Sequence, residues 1–253
     1  MHGNGNDFVI INSIDTNVFL TKDFIQNIAS GADGVSFDQL ILVSPPESHE
    51  HDFLIEFYNV DGGEALMCLN GIRCASRYIW MNNFAPLSKM TLKTKNRVTL
   101  VEPKGEHEVI ATIDIPYYHE SSELESSLED LIKMPYSLGN AGNLHLCIET
   151  DNLSDINIDG LYKKIESIAK PHQVNLSIYK KNESEINIST YENGVGRTLS
   201  CGSASASVAF LSIKDGQALN ICSDGGTLNF LKANDKLIMQ GPTKFSFNGV
   251  INE

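Results

Sequence analysis

Two stretches decide how this chain is read: YNVDGGEALMCLNGIRCASRYIW (58–80) and YENGVGRTLSCGSASASVAF (191–210). In each, a strand-type run enters a turn, Asn59-Val60-Asp61-Gly62-Gly63 in the first and Glu192-Asn193-Gly194 in the second. Asn, Asp and Gly mark turns because they tolerate backbone conformations closed to other side chains. A cysteine follows each turn, Cys68 or Cys201, and a helix-compatible run begins directly after it. The echo predicts two halves built to one outline.

Working outward, FVIINSI (8–14), DQLILVSPP (38–46) and HDFLIEFYNV (51–60) read as strands, and VFLTKDFIQNIAS (18–30) has helical spacing. The helix from Cys68 to Met81 is expected to place Cys74, Tyr78 and Met81 on its apolar face. TLKTKNRVTLVEPKG and EVIATIDIP follow as strands. HESSELESSLEDLIKMP (119–135), acidic and without an aromatic residue, reads as a surface connection or mobile helix near a domain boundary. Beyond it come a strand at LHLCIET, a helix at DGLYKKIESIAK, a strand at EINISTYE, the helix after Cys201, and strands at ALNICS, TLNFLK and KLIMQGP.

Bulk properties narrow the function classes. With 253 residues the chain can bury a full core without disulfides or a structural metal. A net charge of −13 argues against nucleic acid or an anionic membrane surface as partner. No stretch is long and apolar enough to span a bilayer, and no secretory signal is evident, so a cytoplasmic protein is expected. The five cysteines (68, 74, 147, 201 and 222) are odd in number and lack zinc-site spacing, which leaves catalysis or burial as their purpose.

A cysteine at a helix start has a physical use. The exposed N–H groups and the helix dipole favour its thiolate. Those of Leu69, Asn70, Gly202 and Ser203 form anion sites suited to a substrate carboxylate. Two such thiols on opposite sides of one carbon are what epimerisation requires, one removing a proton and one returning it. Buried structural cysteine is the common alternative. Two in matching glycine-turn contexts weigh against it, while Cys74, Cys147 and Cys222 are expected to be packing residues.

At these residues the chain resembles the diaminopimelate epimerase family. MHGNGNDFVIINS is similar to that family's opening, YNVDGGEALMCLNGIRC to its first cysteine block, AGNLHLCI to its Gly-Asn-Pro-His segment, and GVGRTLSCGSASA to its second cysteine block. SDGGTLNF and MQGPTKFSFNGVI are similar to its closing strands, so the resemblance runs from residue 1 to about 251. It implies an α/β (α+β) fold of two pseudo-symmetric halves, each a mixed sheet around a central helix, with the active site in the cleft between them. The halves are expected at 1–112, joined by a C-terminal strand at 243–253, and at 113–242. The resemblance further implies interconversion of L,L- and meso-diaminopimelate by a two-cysteine proton transfer, no cofactor and no metal, and a homodimer. A same-fold racemase of another amino acid, or a non-catalytic amino-acid-binding relative, are the alternatives.

Carried over residue by residue, Cys68 and Cys201 take the positions of the catalytic thiols. His145 and Glu192 match residues that contact the substrate, and Asn6, Asn59, Asn143 and Asn175 match amides that hold its amino and carboxylate groups. Three departures stand out. Leu69 replaces a glycine after the first cysteine. Asn193 replaces an arginine expected at the distal carboxylate, while Arg197 stands where a glutamate is frequent. Ala204 replaces a glycine.

Overall fold

The computed structural model describes residues 1–16, 18–30 and 34–250. In chain order its elements are β1 (His2–Gly3), β2 (Asn6–Asn12), α1 (Lys22–Ala29), β3 (Gln39–Ser44), β4 (Phe53–Asn59), β5 (Glu64–Ala65), α2 (Leu69–Met81), β6 (Met90–Lys93), β7 (Val98–Lys104) and β8 (Glu108–Asp114). The next are β9 (Tyr117–Tyr118), α3 (Ser122–Leu131), β10 (Ser137–Asn140), β11 (Leu144–Glu149), a 3₁₀ turn (Leu153–Asp155), α4 (Ile158–Ala169), β12 (Asn175–Lys181), β13 (Glu185–Glu192), β14 (Gly196–Thr198), α5 (Gly202–Ser212), β15 (Ala218–Ser223), β16 (Gly226–Ala233) and β17 (Lys236–Pro242).

The chain divides into two units, Met1–Ala111 with the C-terminal residues from Gln240, and Thr112–Met239. Strands β8 and β17 each carry the chain from one unit into the other. In the first unit β2 runs parallel to β3, β3 antiparallel to β4, β4 parallel to β6 and β6 antiparallel to β7. In the second, β11 runs parallel to β12, β12 antiparallel to β13, β13 parallel to β15 and β15 antiparallel to β16. The pairing pattern is the same. It equates β4 with β13, the short β5 with β14, and α2 with α5, so the echo in the sequence is an echo in topology. The fold is mixed α/β.

Why α2 and α5 are enclosed follows from their side chains. In α2 every residue from Leu69 to Ser76 is buried, as are Ile79 and Trp80. Gly71 permits this packing, because a Cβ there would lie 2.4 Å from Phe57 Cε1 on β4. In α5 the run from Gly202 to Ala209 is buried on all sides. Its small Ser and Ala side chains let β10 approach, and a Cβ on Gly139 would meet Ser207 Cβ at 3.1 Å. A helix without a polar face is one surrounded by protein.

Four expectations are corrected. Met81 is exposed, because the last turn of α2 emerges from the core, and Tyr78 is half-buried. The acidic segment is not merely a surface connection, since Leu124 and Leu128 of α3 are fully buried in a core shared with Ile158, Tyr162, Ile165 and Ala169 of α4. NLSIYKK forms β12, which had no expected element. Over residues 243–250 the C-terminal segment makes only a single bridge, Lys244 to His2, in place of a strand. Residues 251–253 of that expected strand lie outside the described residues.

Candidate active site

The first cysteine sits where the turn after β5 becomes α2. Cys68 is the N-cap, extended at φ −138° and ψ 115°, and its Sγ accepts the Gly71 N–H at 3.4 Å. The thiol donates to Asn6 Oδ1 at 3.5 Å. Asn6 in turn donates its Nδ2 to Asp38 Oδ2 at 2.8 Å, and the same carboxylate oxygen accepts the Asp7 N–H at 2.7 Å. A carboxylate can only accept, so Asp38 fixes which end of the Asn6 amide faces the sulphur.

Behind this cap lies a buried cation. Arg73 Nη2 donates to Asn4 Oδ1 and to Asn70 Oδ1, each at 2.9 Å, and Nη1 to the Leu69 carbonyl at 3.4 Å. Asn4 has a left-handed backbone (φ 55°) in the turn that leads to Asn6, so Arg73 braces that turn against α2. Burial pulls the guanidinium down to about 10, which leaves it charged at neutral pH. The Asn70 side-chain oxygen thus points inward, to Arg73. Leu69 is buried as well, so the replacement of glycine adds bulk to the core. Asn59 is exposed at the end of β4, where its Oδ1 accepts from Gln39 Nε2 at 3.0 Å. It lies outside the hydrogen-bonded cluster around Cys68.

The second cysteine occupies the equivalent place. Cys201 is the buried N-cap of α5, extended at φ −123° and ψ 116°. Its Sγ lies 3.3 Å from Ser203 Oγ. Ser203 Oγ also meets His145 Nε2 at 2.9 Å and accepts from Asn143 Nδ2 at 3.3 Å. His145 Nδ1 is 3.1 Å from Ser177 Oγ. Burial lowers the His145 imidazole to about 3, so it is neutral at physiological pH. Gly202 and Ser203 complete the buried first turn.

Three expected residues form a separate group in the same unit. Asn175 donates to the Leu144 carbonyl at 3.1 Å and accepts the Asn193 N–H at 2.9 Å. The Tyr162 hydroxyl donates to Asn193 Oδ1 at 3.0 Å, and the Tyr162 ring stacks on Tyr191 at 4.1 Å. Glu192 Oε1 accepts the Thr198 hydroxyl at 2.7 Å. Arg197 is exposed on β14 and lies 3.5 Å from Asp224.

Of the other cysteines, Cys74 and Cys147 are fully buried with thiols pushed up to about 12 by burial. Cys222 departs from the packing expectation: it is half-buried, 3.4 Å from Glu185 Oε2 and from Thr227 Oγ1. Asp38, Ser177, Thr198 and Tyr162 were not singled out in the sequence. Ser177, a polar residue in the apolar run LSI, gave the faintest signal. Asp38 gave none, because its partner Asn6 is far away in the chain. Among the described residues no three His, Cys, Asp or Glu side chains group as metal ligands.

The chain is similar to known proteins in sequence and in fold. Residues 1–117 match the family model described as diaminopimelate epimerase. A diaminopimelate epimerase of Blochmanniella pennsylvanica is 28% identical, covering 100% of this chain and 98% of that protein. One from Psychrobacter cryohalolentis is 29% identical, covering 100% and 92%. Among solved structures, a probable proline racemase from Agrobacterium radiobacter superposes with a TM-score of 0.70 at 12% identity, covering 100% of this chain and 92% of that one. A putative PhzC/PhzF phenazine biosynthesis protein from Clostridium difficile gives 0.70 at 12% identity, covering 98% and 94%. The structural likenesses establish the shared fold.

Proposed function

Taking the chain as a relative of the diaminopimelate epimerases, we propose that it is a cofactor-independent amino-acid epimerase interconverting L,L- and meso-diaminopimelate. The observation that carries the reading is that each unit presents one cysteine as the N-cap of its enclosed helix, Cys68 on α2 and Cys201 on α5. A thiolate on one face of the α-carbon takes its proton and becomes a thiol. The thiol on the other face gives its proton to the carbanion and becomes a thiolate. The carbanion charge spreads into the substrate carboxylate, where N–H groups of the two helix ends stabilise it. No proton or electron is left over, and the two cysteines end with roles exchanged.

Asn6 and Ser203 orient the two sulphurs, and His145 and Asn143 orient Ser203. A second reading, a racemase of another amino acid, draws on one observation. The Asn193 side chain is held by Tyr162, and Arg197 is held at the surface beside Asp224. Comparing kcat/KM for L,L-diaminopimelate with that for a panel of single-centre L-amino acids tests the assignment. The proposal expects L,L-diaminopimelate to be preferred. Preference for a single-centre amino acid would move the assignment to the second reading.

A further inference from the structure

We propose that the first unit carries a separate small-molecule site, a cavity beside Lys93 on the face of β4 and β6 away from α2, which takes a free amino acid as its zwitterion. The site goes beyond the epimerase reading and needs neither thiol.

Side-chain alternation along β4 sets its two faces. Phe53, Ile55 and Phe57 are buried on one, where the Phe57 ring lies against Gly71 of α2. Leu54, Glu56 and Tyr58 point the other way, and Tyr58 packs into the core that α1 forms with Phe37 and Leu40. Strand β6 runs parallel to β4 with Lys93 beside Leu54, so Lys93 shares the face of Leu54 and Glu56. A cavity of about 270 Å³ opens there. Its lining includes Leu54, Glu56, Ala65 and Lys93, exposed Glu47, and the Glu64–Lys95 ion pair.

Lys93 is the residue that points to a ligand. Among the described residues it is the one half-buried lysine of this unit, and it forms no ion pair and no side-chain hydrogen bond. Its neighbours Lys89 and Lys95 are exposed and yet both paired, with Glu102 and Glu64. An ammonium drawn partly out of water is favoured by a counter-charge, and the cavity leaves room for one.

Glu56 supplies the opposite charge. The Tyr58 hydroxyl donates to Glu56 Oε1 at 3.0 Å, which orients the carboxylate. Among the described residues Oε2 has no partner. The Tyr58 phenol is pushed up to about 12 by burial and by Glu56, so it stays a donor across the neutral range.

Size and charge together define the class of ligand. The volume lies below the roughly 300–1,000 Å³ of sites for drug-sized molecules, which excludes a nucleotide or coenzyme. A simple anion at Lys93 would meet the carboxylates of Glu56 and Glu64. A simple cation at Glu56 would meet the ammonium groups of Lys93 and Lys95. A ligand with both charges satisfies both sides, its carboxylate accepting from Lys93 Nζ and its ammonium donating to Glu56 Oε2. Leu54 and Ala65 supply apolar surface for a short aliphatic side chain.

The test titrates the full ¹⁵N-labelled chain with L-alanine, propionate and ethylamine, the last two each carrying one of alanine's charges. Backbone amide shifts of Leu54 and Glu56 are followed by NMR. L-Alanine should shift them saturably and bind at least about tenfold more tightly than either single-charge probe, the scale of one charge-assisted bond. Equal binding by propionate or ethylamine, or no saturable shift with alanine, would overturn the proposal. Shifts confined to Leu69, Asn70, Gly202 and Ser203 would place alanine at the starts of α2 and α5 and would overturn it too. Lys93→Ala should weaken the alanine response at Leu54 and Glu56 about tenfold or more, while Lys93→Arg, which keeps the charge, should retain it. An unaltered response in Lys93→Ala would count against the site. Should that variant fail to fold, Glu56→Gln, expected to weaken alanine by a similar factor, and the wild-type order of the three probes still decide. Only binding is scored, so failure here leaves the epimerase reading standing, and a chain that binds alanine here without exchanging a substrate α-hydrogen would refute that reading alone.

Discussion

Tyr162 holds Asn193: its hydroxyl donates to Asn193 Oδ1 at 3.0 Å while its ring stacks on Tyr191. The residue that stands in for the expected arginine is thus anchored from α4, and its amide has a fixed direction. Tyr162→Phe removes one neutral hydrogen bond and frees that amide. We expect kcat/KM for L,L-diaminopimelate to fall about threefold to tenfold, mostly through KM. Arg197→Ala, at an exposed ion pair, should change it by less than about twofold. Steady-state kinetics of both variants on one substrate would reveal an inverted order.

The thiols are expected to be individually indispensable. Cys68→Ser and Cys201→Ser should each lower turnover by about 10²–10⁴-fold, the usual effect of losing a positioned acid or base. Far-ultraviolet circular dichroism should be unchanged, because serine fits the same cap positions. Wild-type turnover in either variant would refute the two-base mechanism.

Asp38 fixes Asn6, and Asn6 meets Cys68. Asp38→Ala should therefore lower kcat by about tenfold, through loss of a charge-assisted bond that orients the amide. Thermal denaturation should show a small change by comparison, since the Asn6 to Asp38 bond is exposed. A large loss of Tm with unchanged kcat would make Asp38 a structural residue only.

His145 predicts an acid limb of stability. Burial lowers its folded pKa from 6.5 to about 3, so the unfolded chain binds the extra proton first as pH falls. The neutral imidazole's contribution is complete above about pH 6.5 and is lost as pH drops toward the folded value, at up to about 1.4 kcal/mol per pH unit. Urea denaturation between pH 7 and pH 4.5 should therefore show a shallower pH dependence in His145→Gln than in wild type. Equal slopes would contradict a buried neutral ring.

Much of this was legible in the chain, for reasons that differ by element. The cysteine helices were visible because a glycine turn and a helix start are local signals, and so were ALNICS and KLIMQGP, whose apolar runs coincide with β15 and β17. The burial of α3 was not, because Leu124 and Leu128 are a thin apolar stripe in an acidic segment whose partner surface on α4 lies far along the chain. In the site, Cys68, Cys201, Asn6, Asn143, His145 and Ser203 fall into hydrogen-bonded clusters. Asp38 and Ser177 escaped notice because their importance lies in the atom each one faces. For Ser177 it follows from strand register, since β11 and β12 pair His145 with Asn175 and Cys147 with Ser177 and so set Ser177 diagonally from His145, and residue type alone does not disclose it.

The most direct test of the central claim is incorporation of solvent deuterium at the α-carbon. Purified protein, with no added cofactor, is incubated with L,L-diaminopimelate in deuterated water, and both label and stereochemistry are read by NMR. The account predicts that meso product carries deuterium at the inverted centre in wild type. It further predicts that inversion collapses in both Cys68→Ser and Cys201→Ser. Inversion without solvent deuterium, or inversion that survives loss of either thiol, would contradict it.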